Sequence, residues 1–161
     1  MSKKILLTQN QYAVVDDSDF EWLNQWEWCA LWYSNAKSFY AVRNVRKTDG
    51  KYTLLSMHQA IMGKPNRKQI DHINHDTLDN RKTNLRICTT QQNNMNQKLN
   101  KNNTSGFKGV FWSKGAKKWQ AQIMKNGKFV HLGLFNNIKI AAQSYDNAAR
   151  ELFGEFARLN F

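Results

Sequence analysis

Between residues 91 and 103 the chain places nine Asn or Gln, and the run Lys98-Leu99-Asn100-Lys101-Asn102-Asn103-Thr104-Ser105-Gly106 has almost nothing to bury. No core can be threaded through such a segment. It reads as a linker over 98–105, and the 161 residues resolve into two small domains, 1–97 and 106–161. Domains of about 60 residues and more do fold alone. Hydrophobic residues make up 41% of the chain and aromatics 12%, which supplies two cores and excludes global disorder. Four of the six tryptophans, Trp22, Trp26, Trp28 and Trp32, fall within eleven residues, and they are expected to form a small core.

Charge is distributed unevenly over the two halves. Basic and acidic residues number 6 and 6 in 1–50, 9 and 3 in 51–103, and 9 and 3 in 104–161, so the whole formal excess of +12 lies after residue 50. A membrane-surface helix would set Lys and Arg opposite a Leu/Phe stripe, whereas these cations are scattered among Asn, Gln, Thr, Trp and Gly. That mixture suits nucleic acid: cations neutralise phosphates, while amides and hydroxyls bond phosphate, sugar and base edges. No window approaches the ~20 apolar residues of a membrane span, and the start turns polar too soon for a signal peptide. A soluble, unsecreted, cytoplasmic protein is expected. Cys29 and Cys88 stand alone, with no Cys-x-x-Cys, and are expected as two buried thiols, without disulfide or structural zinc.

The first half reads as short strands at Lys4–Leu7, Tyr12–Val15, Trp28–Tyr33, Ser38–Asn44 and Tyr52–Ser56. Ser18-Asp19-Phe20-Glu21 has the capping-box form and predicts a brief helix there. Ser56 to Gly63 predicts another, with Ser56 at its N-cap and Pro65 beyond its end. A strand at Gln69–His72, a polar loop, a strand at Leu85–Thr89 and a helix opened by Thr89-x-x-Gln92 follow, giving a β-loop-β-α unit. After residue 106, Phe107–Ser113, Lys118–Met124 and Lys128–Leu134 predict three antiparallel strands, the last two joined by an Asn126-Gly127 turn. Asn136 or Asn137 then caps a helix running to about Phe153, with Ala141, Tyr145, Ala148 and Leu152 on one face. The expected fold class is α+β throughout.

Asp71-His72 ends one predicted strand, Asn84 lies thirteen residues after Asp71, and Asn93 opens the helix twenty-two after it. A strand end and the first turn of a helix packed across it can bring a carboxylate and an amide oxygen together, with His72 beside them. Hard oxygen ligands suit Mg²⁺, or Mn²⁺, which keeps water and phosphate oxygens in its remaining positions. A neutral imidazole is the natural base for an attacking water. One-metal phosphodiester hydrolysis could be built so.

The segments Asp71-His72-Ile73-Asn74, Leu78-Asp79-Asn80-Arg81, Thr83-Asn84-Leu85-Arg86 and Cys88-Thr89-Thr90-Gln91-Gln92-Asn93-Asn94 together resemble the HNH homing endonucleases, the ββα-metal nucleases of phages and mobile elements. Met57-His58-Gln59-x-Ile61-Met62-Gly63 resembles the lead-in of that family. The resemblance implies a site-specific DNA endonuclease, with Asp71 and Asn93 as ligands of one catalytic Mg²⁺ or Mn²⁺, His72 as general base and Asn84 orienting its ring. Asn94 is a neighbouring alternative to Asn93. His58, Arg81 and Arg86 are expected to contact DNA, and for His58 and His75 phosphate contact or plain structure is favoured over catalysis.

Gly106-Phe107-Lys108-Gly109-Val110, Trp119-x-Ala121-x-Ile123, His131-Leu132-Gly133-x-Phe135, Tyr145-Asp146-x-Ala148-Ala149 and Phe153-Gly154-Glu155-Phe156-Ala157-x-Leu159-Asn160-Phe161 resemble the plant Apetala/ethylene-response-factor DNA-binding domain. In that family a three-stranded sheet lies in the major groove. By position, the sheet here would present Lys108, Phe111, Ser113, Gln120, Gln122, Met124 and His131. The partner expected is double-stranded DNA, with no membrane and no small-molecule cofactor, and the chain is expected to act as a monomer. A non-catalytic DNA-binding regulator is the alternative function. A basic RNA- or ribosome-associated protein would explain the charge but not the spacing of Asp71, His72, Asn84 and Asn93.

Overall fold

Alternating apolar and polar residues build an opening hairpin, β1 (Ser2–Leu6) and β2 (Tyr12–Asp16), whose register sets Ile5 opposite Ala13 and turns both inward. The computed structural model describes residues 1–161 and divides them into two units, Met1–Thr90 and Gln91–Phe161. In the first, α1 (Asp17–Leu23) starts after Asp16, two residues ahead of the predicted Ser18 cap. The Asp16 carboxylate makes no capping bond, because it accepts from the Lys82 backbone N–H at 2.8 Å instead. Three antiparallel strands follow in the order β3 (Cys29–Tyr33), β4 (Ser38–Arg46), β5 (Tyr52–Ser56). Then come α2 (Met57–Met62), β6 (Gln69–His72) and its antiparallel partner β7 (Leu85–Cys88).

The core of this unit is built from Ile5, Leu7, Ala13, Val15, Leu23, Trp28, Ala30, Ala41 and Met57. Of the four clustered tryptophans only Trp28 is buried, its indole N–H donating to the Leu23 carbonyl at 2.9 Å. Trp22, Trp26 and Trp32 are exposed, which corrects the expectation of a tryptophan core. A core this small, with three alanines among its nine residues, accommodates one indole, and the ends of two short elements leave the others at the surface. Cys29 is exposed as well, against expectation, because strand alternation between inward Trp28 and Ala30 turns it outward. Cys88 is buried.

The second unit opens with α3 (Thr90–Met95), which begins at the boundary. The polar stretch expected as a linker belongs to this unit. There Asn103 donates to the Phe107 carbonyl, and Ser105 to the Val110 carbonyl, closing the turn that leads into the sheet. That sheet has the order β8 (Val110–Ser113), β9 (Lys118–Lys125), β10 (Lys128–Phe135), all antiparallel. Asn126 and Gly127, with φ of 50° and 77°, form the predicted β9–β10 turn. The helix α4 (Ile138–Phe153) is capped by Asn137, whose side chain accepts from the Lys139 N–H at 2.8 Å. Its Ala141, Ala142, Tyr145 and Ala149 are buried, with Val110, Ala121 and Ile123 of the sheet completing the core. No helix of the chain is long and apolar enough to cross a membrane.

Candidate active site

The β6–β7 pair carries the polar constellation of the first unit. Its register sets Asp71 opposite Arg86 and His72 opposite Leu85. Asp71 and His72 are both buried, 7% and 5% exposed. The Arg86 guanidinium donates to Asp71 Oδ2 from Nε at 3.0 Å and from Nη2 at 2.8 Å, so the side chain expected to reach DNA is directed at this carboxylate. Burial is the main force lowering the His72 pKa below the ordinary histidine value, partly offset by the hydrogen bond to Asn80 and by the charge of Asp71. The imidazole is therefore neutral at working pH, the state a general base requires.

The loop joining the two strands is shaped by its own side chains. Asn74 Oδ1 accepts from the Asp76 N–H and Asp76 Oδ1 from the Leu78 N–H, two Asx turns around His75, whose φ is 64°. Asn84 closes the loop: its Oδ1 accepts from the Asn74 N–H at 3.0 Å, and its Nδ2 donates to the Asp79 carbonyl at 2.8 Å. The ring of His72 is met by a different amide, with Nε2 lying 3.4 Å from Asn80 Oδ1. The ring-orienting contact expected of Asn84 is thus Asn80's, since both polar atoms of the Asn84 side chain are engaged by loop backbone. Arg81, also expected at DNA, grips Asp79 with two bonds of 2.7 and 2.6 Å and holds that carboxyl below the usual range. The Arg81 side chain remains 41% exposed. The hairpin buttresses the loop, with Val14 N–H donating to the Leu78 carbonyl and Asn80 N–H to the Val14 carbonyl.

Beside His72 stand two further rings. His58, on α2, lies 5.2 Å away between centroids, and Tyr40, on β4, lies 6.0 Å away. Burial, then the charge of His72, pushes the His58 pKa down to about 4. Burial raises that of Tyr40. Asn80 and Tyr40 carry no isolated sequence signal: Asn80 sits in a run of loop amides, and Tyr40 is one of many strand aromatics.

Asn93 lies partly buried on α3 in the second unit, with Asn94 exposed beside it. On that unit's sheet, Trp119, Ala121 and Ile123 turn toward α4, while Gln120, Gln122 and Met124 alternate to the other face. Phe111 pairs with Gln120 and His131 with Gln122, so these join the same face, as does Ser113 by alternation from Phe111. Lys108 does not. It precedes β8, donates from Nζ to the Met95 and Gln97 carbonyls, and burial pushes its pKa down to about 8. Its place on the open face is therefore corrected, because its positively charged end is drawn to the Met95 and Gln97 carbonyls.

No three His, Cys, Asp or Glu side chains stand close enough to hold a metal ion by themselves. A site at Asp71 would have one carboxylate already partnered by a guanidinium, leaving most positions to water and phosphate oxygens. Those donors fit a hard divalent ion of the Mg²⁺ kind, which tolerates few protein ligands.

Comparison with known proteins matches residues 62–95, from the end of α2 to α3, to the HNH endonuclease family. Protein 3.8 of Escherichia phage T7 is 37% identical over 89 residues, covering 55% of this chain and 73% of that protein. An uncharacterised HNH endonuclease of Acanthamoeba polyphaga mimivirus is 39% identical over 110 residues, 68% of this chain and 54% of its own length. The chain therefore spans about half of the mimivirus protein.

Proposed function

We propose that this chain, whose residues 62–95 match the HNH endonuclease family, is a site-specific DNA endonuclease of the homing type, hydrolysing phosphodiester bonds with His72 as general base. The observation that carries this reading is a buried, neutral His72 directly beside Asp71 on a strand end that the Asn84-bonded loop holds in place. Asp71 would hold the divalent ion, and the family resemblance assigns Asn93 as its second ligand. Such an ion, when bound, supplies charge neutralisation at the phosphate and the leaving 3′-oxygen. His72 removes the proton from the attacking water, and Asn80 fixes the ring for that task. Arg86 holds the Asp71 carboxylate through Oδ2, and Arg81 anchors the loop while offering its exposed edge to backbone phosphate.

The second unit is proposed as a DNA-binding module of the Apetala/ethylene-response-factor kind. Three strands on one helix support this, as does an open sheet face bearing Phe111, Ser113, Gln120, Gln122, Met124 and His131. A glutamine amide matches the N7 and N6 edge of adenine, so a target rich in A·T pairs follows. A second reading, a DNA-binding regulator whose first unit does not cut, is favoured by the Arg86 guanidinium on Asp71 Oδ2. Relaxation of supercoiled plasmid decides between them: nicking with Mg²⁺ or Mn²⁺ that stops in EDTA supports the nuclease, and binding without nicking in either metal supports the regulator.

A further inference from the structure

Strand alternation gives the β3–β4–β5 sheet a second face, away from Ala30 and Ala41, along which Tyr33 and Tyr40 lie. At the hairpin end of this face Tyr33, Asn35, Ala36, Tyr40, Ser56 and His58 line a cavity of about 270 Å³. Its walls are rings. Tyr33 meets Tyr40 edge-on at 5.1 Å, Tyr40 meets His58 at 5.8 Å, and His58 meets His72 at 5.2 Å, so the cavity ends one ring from the catalytic imidazole.

Two polar groups of the lining lack the partners expected of them. Ser56 holds the N-cap position of α2, yet its hydroxyl makes no capping bond. Nδ1 of His58 is buried without a hydrogen-bond partner. A buried, unpaired ring nitrogen is costly, and a ligand that bonds it recovers that cost. The lining contains no Lys or Arg, so it is built for a flat, neutral, heteroaromatic group and not for phosphate.

We propose that this cavity takes a nucleobase rotated out of the stack of the cut strand, next to the phosphate served by His72. The proposal rests on the nuclease reading above. It makes Tyr33 and His58 DNA-positioning residues, and it favours cutting beside steps that unstack easily.

The test uses the full chain, in EDTA, and short labelled duplexes spanning its footprint, each with one abasic residue that leaves a single base unpaired opposite. One position is expected at which unpairing tightens wild-type binding. On that duplex Tyr33→Ala weakens binding by about 5- to 150-fold, the range that base stacking on an aromatic ring implies, and Tyr33→Phe by less than about twofold. When the base itself is removed, wild type and Tyr33→Ala bind alike. Equal loss in Tyr33→Ala with and without the base at every position, or no loss at all, overturns the proposal. Cleavage of the same duplexes in Mg²⁺ is read separately: absent cleavage with a base-dependent Tyr33 effect overturns the nuclease reading and supports the pocket, whereas cleavage without that effect overturns the pocket alone.

Discussion

At the scale of single residues the first unit keeps two imidazoles neutral, and this has a stability consequence that can be measured. His58 has a folded pKa of about 4, below the ordinary histidine value of about 6.5. The unfolded chain therefore binds the proton first as pH falls, so stability is fully present above about 6.5 and is lost as pH drops toward 4. Between pH 7 and pH 5 the loss attributable to His58 is about 2 kcal/mol, and urea unfolding of His58→Gln should show a flatter dependence over that interval. For catalysis, the acid limb of kcat/KM should lie below the ordinary histidine pKa, as the lowered pKa of His72 requires. The two amides of the loop are separable. Asn80→Ala frees the ring of His72 and should depress kcat, with the limb moved. Asn84→Ala opens the loop and should cost stability as well, and equal pH profiles in the two variants would count against these roles.

At the scale of elements, much was legible because periodicity and turn chemistry are local. β5 and β6 fall on their expected residues, Asn126-Gly127 makes its turn, and Asn137 caps α4. The misses come from long-range competition. Asp16, not Ser18, occupies the position before α1 because strand β2 ends there, and three tryptophans stay outside because the core lacks room. Lys108 turns inward toward carbonyls that no local pattern announces. One element-scale contact is decisive in the second unit, where Gly109, at φ of 74°, lies under the Tyr145 ring. A Cβ there would meet Tyr145 Cδ2 at 2.0 Å and the Gln122 carbonyl oxygen at 2.6 Å. Both are backbone or buried ring, so Gly109→Ala should cost more than about 3 kcal/mol. Amide exchange should accelerate across β9 and leave β1 and β2 unchanged, and intact β9 protection would contradict the packing described.

At the scale of the whole molecule, the candidate site was legible only in part. Asp71, His72 and Asn84 fall in one unit, on β6 and on the turn that leads into β7, but the partner of the His72 ring and the role of Arg86 depend on strand register and loop closure. The excess charge of +12 predicts steeply salt-dependent DNA binding. Lys108→Gln should leave the salt slope unchanged, since its positive charge is held against the Met95 and Gln97 carbonyls. Gln122→Ala should relax base preference at one position, likewise without altering the slope. A reduced slope in Lys108→Gln would show that this side chain leaves its carbonyls to grip phosphate.

The claim on which the rest depends is that His72 removes the proton from the attacking water. Nicking of supercoiled plasmid by purified His72→Ala, with duplex binding measured in the same preparation, tests it directly. The rate should fall by about 10²–10⁴ while binding persists, whereas undiminished nicking by the variant would contradict the account.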